Sequence, residues 1–189
     1  MLKIPGKHRS QQAQVEAPAH EPEALDPETG LAGSELFMQL LQRDIERCFR
    51  HGGEMTLVVF DVVIVGFIPA PGQPEPPSVA PAVAVLLREV VRGTDIPAHV
   101  GESRFAVLLS SAEPPGAEQF SERIRTRIGT DPYARDAAGN AIHARAWAGV
   151  AAWEPRYEVA ADYLAAAIHA MRETRSGYEH AQGWFKGDS

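Results

Sequence analysis

The run TLVVFDVVIV, residues 56–65, restricts the fold more than any other stretch of the chain. An alternating apolar and polar pattern would mark a strand with one wet face. Here β-branched and apolar residues fill both parities, which marks a strand covered on both faces. Such a strand needs a layer on either side, so the rest of the chain must supply them. Asp61 is the one charged residue in the run, and a carboxylate there needs a reason.

Helical periodicity flanks this strand. Ser34 is placed to cap a helix in which Phe37, Leu41, Ile45, Cys48 and Phe49 recur at three and four, stopped by Gly52-Gly53. Cys48, the only cysteine, is read as core packing and excludes an internal disulfide or a thiolate metal cluster. Six prolines within residues 69–81 predict a loop. Helical spacing returns at 82–91, strands are expected near 96–100 and 104–109, and 114–128 reads as a helix. A hairpin around Ala138-Gly139-Asn140, a strand over 145–153 and an Ala-rich helix ending near Gly177 complete the order. That order predicts an α/β layer fold with a mixed or antiparallel central sheet flanked by helices.

Composition removes several functions. A net charge of −7 without a basic block disfavours a nucleic-acid-binding face. The longest apolar stretch, 55–70, is broken by Asp61 and Gly66 and is short for a bilayer span. Residues 1–24 lack periodicity and are read as a flexible polar leader, with 25–178 as the folded domain and 179–189 as a tail. No secretory signal is visible, and a reducing cytoplasm fits. The seven histidines are scattered, no phosphate-cradling glycine loop precedes a Lys-Ser/Thr, and GESRF lacks the closing glycine of a nucleophile elbow. Trp147, Trp153 and Trp184 are read as core and surface packing.

Several strings share an order with a known family. DPETGLAGSELF (26–37), LVVFDV (57–62), HVGESRFAVLL (99–109), AWAGVA (146–151) and AAIHAMRETRSG (166–177) together resemble the GGDEF family, whose members condense two GTP molecules into cyclic di-GMP. The resemblance implies a nucleotidyl-cyclase-like fold over roughly residues 26–178. It also places GESRF where the family has its Gly-Gly-Asp/Glu-Glu-Phe hairpin, and Asp61 where the first metal-binding aspartate stands.

On that alignment the catalytic parts are missing. Mg²⁺ demands hard oxygen ligands, and Ser103 and Arg104 fill the places of the hairpin acids. Arg104 would set a positive charge against a cation, and Glu102 lies one position early, pointing the other way on a strand. The family's polar loop after Asp61 is replaced by apolar residues 62–69. Its later guanine-reading aspartate maps into QPEPPS (73–78), and its phosphate-binding lysine maps onto Thr174. Losing one such group costs a few kcal/mol of transition-state stabilisation, so losing several leaves little. The expectation is no catalytic residues, no metal and no cofactor.

A second feature of the resemblance is intact. Arg92-Gly93-Thr94-Asp95 stands five residues before the hairpin, as in the family's inhibitory Arg-x-x-Asp site for cyclic di-GMP, and it is the only such tetrad in the chain. Arginine can fork onto guanine O6 and N7 or onto phosphate, while a carboxylate accepts from guanine N1–H and N2–H. Arg123 falls where a third site residue joins, with Arg127 one turn on. The implied ligand site is Arg92, Asp95 and Arg123, on the face away from the altered active site. The implied function is a catalytically inactive cyclic di-GMP receptor that recruits a partner protein, with a ligand-bridged homodimer as one arrangement. Three alternatives stay open: Arg92 and Asp95 serving only a helix end and a turn, a protein-binding scaffold using residues 62–69 and no nucleotide, and, ranked last, an active diguanylate cyclase.

Overall fold

The computed structural model describes residues 25–67, 75–136 and 138–181. The expected leader, residues 68–69 of the apolar segment, most of the proline-rich loop's first half and Trp184 lie outside the described residues. The elements run β1 (Ala32–Gly33), α1 (Ser34–His51), β2 (Met55–Val65), α2 (Ala80–Val90), β3 (Ile96–Gly101), β4 (Arg104–Ser110), α3 (Pro114–Thr130), β5 (Ala134–Arg135), β6 (Ala141–Ala152) and α4 (Ala160–Ala181). Six strands form one sheet in the order β1-β3-β4-β2-β6-β5. Only β1 and β3 pair in parallel; the other pairs are antiparallel, so the sheet is mixed.

The unbroken apolar run is β2, and it lies inside the sheet between β4 and β6. Val58, Phe60 and Val62 point into the core beneath α2 and α3, joined by Phe105, Val107 and Leu109 of β4. Met55, Leu57 and Val59 point to the other face, against α1 and α4. Leu57, Val58, Val59 and Phe60 are all 0% exposed. Full burial of each such side chain contributes about 1.5–3 kcal/mol, enough to make this strand the anchor of both layers. Residues 62–65 continue the ladder against Ala146, Arg145, Ala144 and His143. They extend a core strand, and Val62 is buried.

α4 approaches β6 closely because Gly149 has no side chain. A Cβ there would sit 2.2 Å from both the Ala167 carbonyl oxygen and the Met171 nitrogen. Several boundaries differ from the sequence reading. Gly33, not Ser34, precedes α1, and no side chain caps that end. α2 begins at Ala80, with Pro81 in its first turn, where a missing N–H costs nothing. Phe49 is 47% exposed and packs edge-on against Trp153, with ring centroids 5.2 Å apart, instead of entering the core. α4 does not stop at Gly177 but runs through it to Ala181. A helical glycine costs about 1 kcal/mol, which side-chain contacts from this stretch offset.

Candidate functional site

Two clusters of charged side chains lie at opposite ends of the β3–β4 hairpin. At the turn, Asp61 of β2 lies beside Arg104 of β4 and Trp147 of β6 as cross-strand neighbours. The period of two puts Asp61 on the α1–α4 face, where it is only 6% exposed. Both carboxylate oxygens are engaged. The Ser103 hydroxyl donates to Oδ1 at 2.6 Å, and Nη1 of Arg175, from α4, lies 3.2 Å from Oδ2. The Arg175 guanidinium also stacks over the Trp147 ring, 4.7 Å from its centroid. The turn itself is held because the Val62 N–H donates to the Ser103 carbonyl at 2.8 Å.

These residues do not fit a magnesium ion. Among the described residues no group of three or more His, Cys, Asp or Glu side chains gathers as a metal cage. Glu102 is exposed at the turn, and Thr174 spends its hydroxyl on the Ala170 carbonyl within α4. Nε of Arg104 is buried without a hydrogen-bond partner, so this guanidinium adds positive charge next to the aspartate. Ser103 and Arg104 were singled out in the sequence. The part played by Arg175 was not, because α4 is distant in the chain and no spacing rule ties it to β2.

At the other end, α2 stops at Val90 and the chain turns through Gly93 and Thr94 into β3. The Asp95 carboxylate organises this turn. It accepts from the Arg92 N–H at 2.9 Å and from the Ser110 N–H of β4 at 3.3 Å. The Asp95 N–H returns a bond to the Arg92 carbonyl at 3.0 Å. Asp95 is thus a turn former, and each oxygen keeps a lone pair after one backbone bond.

Arg92, Asp95, Ser110, Gln119, Phe120 and Arg123 line one cleft of about 380 Å³ between this turn and α3. The three residues singled out in the sequence are therefore brought together. Arg123 lies over the Phe120 ring at 5.7 Å. Among the described residues no carboxylate pairs with the guanidinium of Arg92 or of Arg123. Arg127 does not join them. It turns away to Glu89 at 3.0 Å and lines a separate apolar pocket. Arg125 donates through Nε to the Ala146 carbonyl at 3.2 Å. The cleft is entered past Ser111, whose φ of 53° is the one positive value among non-glycine residues described.

A third cluster fixes the opening motif. Asp26 accepts from the Thr29 N–H and hydroxyl at 2.8 and 2.5 Å, and Nδ1 of His99 lies 3.1 Å away. Burial raises the Asp26 pKa, but the bonds from Thr29 and His99 outweigh it and hold the carboxyl below its ordinary value. His99 also stacks on Phe105 at 4.7 Å. Its role is structural.

A mixed sheet with helices on both faces, an aspartate on its central strand and a hairpin turn beside it define a nucleotidyl-cyclase-like domain. The family model described as "Diguanylate cyclase, GGDEF domain" matches residues 23–179, and the chain belongs to the GGDEF family. The diguanylate cyclase DgcP of Pseudomonas aeruginosa is 29% identical over 130 residues, covering 68% of this chain and 19% of that protein. The chain thus spans about a fifth of the length of the curated relative it matches. The GGDEF domain of DgcB from Caulobacter crescentus, solved in complex with c-di-GMP, superposes with a TM-score of 0.70 at 18% identity, covering 92% of this chain and 94% of that one. The diguanylate cyclase SiaD of P. aeruginosa, solved in complex with its activator SiaC, gives 0.68 at 21% identity, covering 82% and 59%. At these identities the two structures establish the fold. Among the described residues no helix is long and apolar enough to cross a membrane.

Proposed function

We propose that this domain binds cyclic di-GMP in the Arg92–Asp95–Arg123 cleft and does not synthesise it. One observation carries the reading: two guanidinium groups without carboxylate partners line the same cleft as the Asp95 carboxylate, which keeps spare lone pairs, and Glu113 is the second carboxylate on that lining. A guanine offers O6 and N7 to an arginine fork and N1–H and N2–H to a carboxylate, and the phosphodiester offers its charge to the second arginine. The complex of DgcB with c-di-GMP supports the choice of ligand by analogy of fold.

Loss of synthesis rests on the other end of the hairpin. Phosphoryl transfer needs divalent cations to neutralise the triphosphate, and Asp61 already bonds Ser103 and Arg175. The output is recruitment of a partner protein upon ligand binding, and the two-fold symmetry of the ligand allows it to bridge two copies of the domain. The SiaD–SiaC complex is a case of a protein of this fold held by a protein partner.

Calorimetry with cyclic di-GMP tests the reading. Binding in the micromolar range or tighter by the wild type, lost in Arg92→Ala, is the expected outcome. Undiminished affinity in Arg92→Ala, or GTP turnover in the presence of Mg²⁺ or Mn²⁺, would overturn the binding or the inactivity half respectively.

A further inference from the structure

We propose that Arg175 is the built-in counter-ion of Asp61, taking the electrostatic place of a divalent cation and clamping the last turns of α4 across the end of the sheet. This claim does not depend on whether the distant cleft binds a nucleotide.

A carboxylate that is only 6% exposed on a central strand must be compensated, because an unpaired buried charge is strongly destabilising. A metal ion needs several oxygen ligands to do so. This domain supplies a hydroxyl and a guanidinium instead, one on each oxygen. The guanidinium suits the task better than an ammonium. It is planar, it stays charged, and it can stack on Trp147 while its edge points at the carboxylate. The apolar side of the same pair is thus Trp147, which is 6% exposed.

The second half of the claim concerns α4. Met171, 1% exposed, is the last buried residue of α4 among the described side chains. From Arg172 to Tyr178 only Arg175 and Tyr178 are less than fully exposed, and each makes a cation–π contact with β6. Arg175 stacks on Trp147, and Tyr178 lies under the Arg145 guanidinium at 4.8 Å. These contacts hold a helical stretch that contains Gly177 and that has no core side chain of its own among residues 172–178. The helix runs on past its expected glycine stop because Arg175 is fastened to Asp61.

The test is a double-mutant cycle on the full chain with Arg175→Gln, Asp61→Asn and the pair, read by melting temperature and by hydrogen exchange of the amides after residue 171. Arg175→Gln leaves the buried carboxylate with one hydrogen bond, from the Ser103 hydroxyl, and with only the neighbouring Arg104 charge, which is not bonded to it, so it should lower the melting temperature by about 3–6 °C. Asp61→Asn removes the buried charge as well as the pair and should cost less. Adding Asp61→Asn to Arg175→Gln should therefore raise the melting temperature, back to the level of Asp61→Asn alone. Exchange in residues 172–178 should speed up by about tenfold in either single variant, and less in Arg175→Lys. Millimolar Mg²⁺ should leave the wild-type melting temperature unchanged relative to EDTA. Additive single effects, or stabilisation of the wild type by Mg²⁺ that Asp61→Asn abolishes, would overturn the proposal. If Arg175→Gln does not fold, the exchange pattern of Asp61→Asn and of Arg175→Lys decides it alone.

Discussion

The two ends of the β3–β4 hairpin use the same residue types in opposite ways. At the turn, Asp61 is closed off from solvent, and a serine and an arginine of the chain itself satisfy it. At the open end, some 20 Å away along a six-residue strand, Arg92 and Arg123 face a cleft without a carboxylate on either guanidinium. An internally satisfied charge has little interaction energy left for a guest, since a ligand would have to displace a bond at least as good. A solvated guanidinium beside an apolar ring gives up only water. The contrast shows how the same residue types serve the fold at one end of a hairpin and stay open to solvent at the other.

The largest effect should come from the cleft. Arg92→Ala removes a charged fork and should weaken cyclic di-GMP binding by about 30–100-fold in calorimetry, the worth of one or two hydrogen bonds to a charged group. Arg92→Lys should recover little of it, because an ammonium cannot make the bidentate contact. Asp61→Asn, at the far end, should leave affinity within about twofold. If Asp61→Asn weakened binding as strongly as Arg92→Ala, the two ends would not be independent and the comparison would collapse.

A smaller effect separates neighbouring arginines on α3. Arg123→Ala should weaken binding by about tenfold, because it lines the cleft. Arg127→Ala should not change it, because that side chain is turned to Glu89. Equal losses from both would mean that α3 presents a general basic face and not a site.

Most of the fold was legible because β2 carries an unmistakable pattern and the helices around it obey theirs. The boundaries that shifted have local physical causes. Phe49 has the right spacing for the core but lies in the last turn of α1 next to buried Cys48, turned to the edge of the core where Trp153 offers a partner. Gly177 has the identity of a helix stop, but tertiary contacts from Arg175 and Tyr178 override it. The cleft residues were found because Arg92 and Asp95 are near in sequence and Arg123 follows in register with the hairpin. Arg175 escaped notice because its partner is 114 residues away, and only the folded sheet brings them together. Arg127 follows Arg123 by one turn, yet the structure turns it to Glu89 for a related reason. On one helix face a spacing of four says which side a residue is on, but not which of two neighbouring helices it will answer to.

Ser103→Ala tests the turn at finer grain. It removes a 2.6 Å bond to a buried carboxylate and leaves Arg175 in place. The expected cost is about 1–2 kcal/mol in denaturant unfolding, with a melting temperature lower by about 2–6 °C. It should also leave the GTP turnover at background. A gain of turnover on substituting Ser103→Glu would instead show that only one ligand separates this turn from a working metal site, which Arg104 and Arg175 argue against.

The smallest effect concerns Asp26, the carboxylate that meets His99 in the middle of β3. Asp26 is satisfied like Asp61, by Thr29 and by His99 of β3, yet it is nearer to solvent. Its carboxyl is held below the ordinary value of 3.8, so its contribution to stability is present above that value and is lost as the pH falls through the lower, folded one. Asp26→Asn should therefore be less stable than the wild type at neutral pH, by a modest margin. The two stabilities should converge as the pH is lowered from about 5 to about 2, because the wild-type aspartate then takes up the proton whose absence made it useful. A difference that stayed constant across that range would assign the loss to the altered hydrogen-bond geometry at Thr29 and not to charge. In that case Asp26 would belong with neither end of the hairpin, since its carboxylate would be holding shape alone.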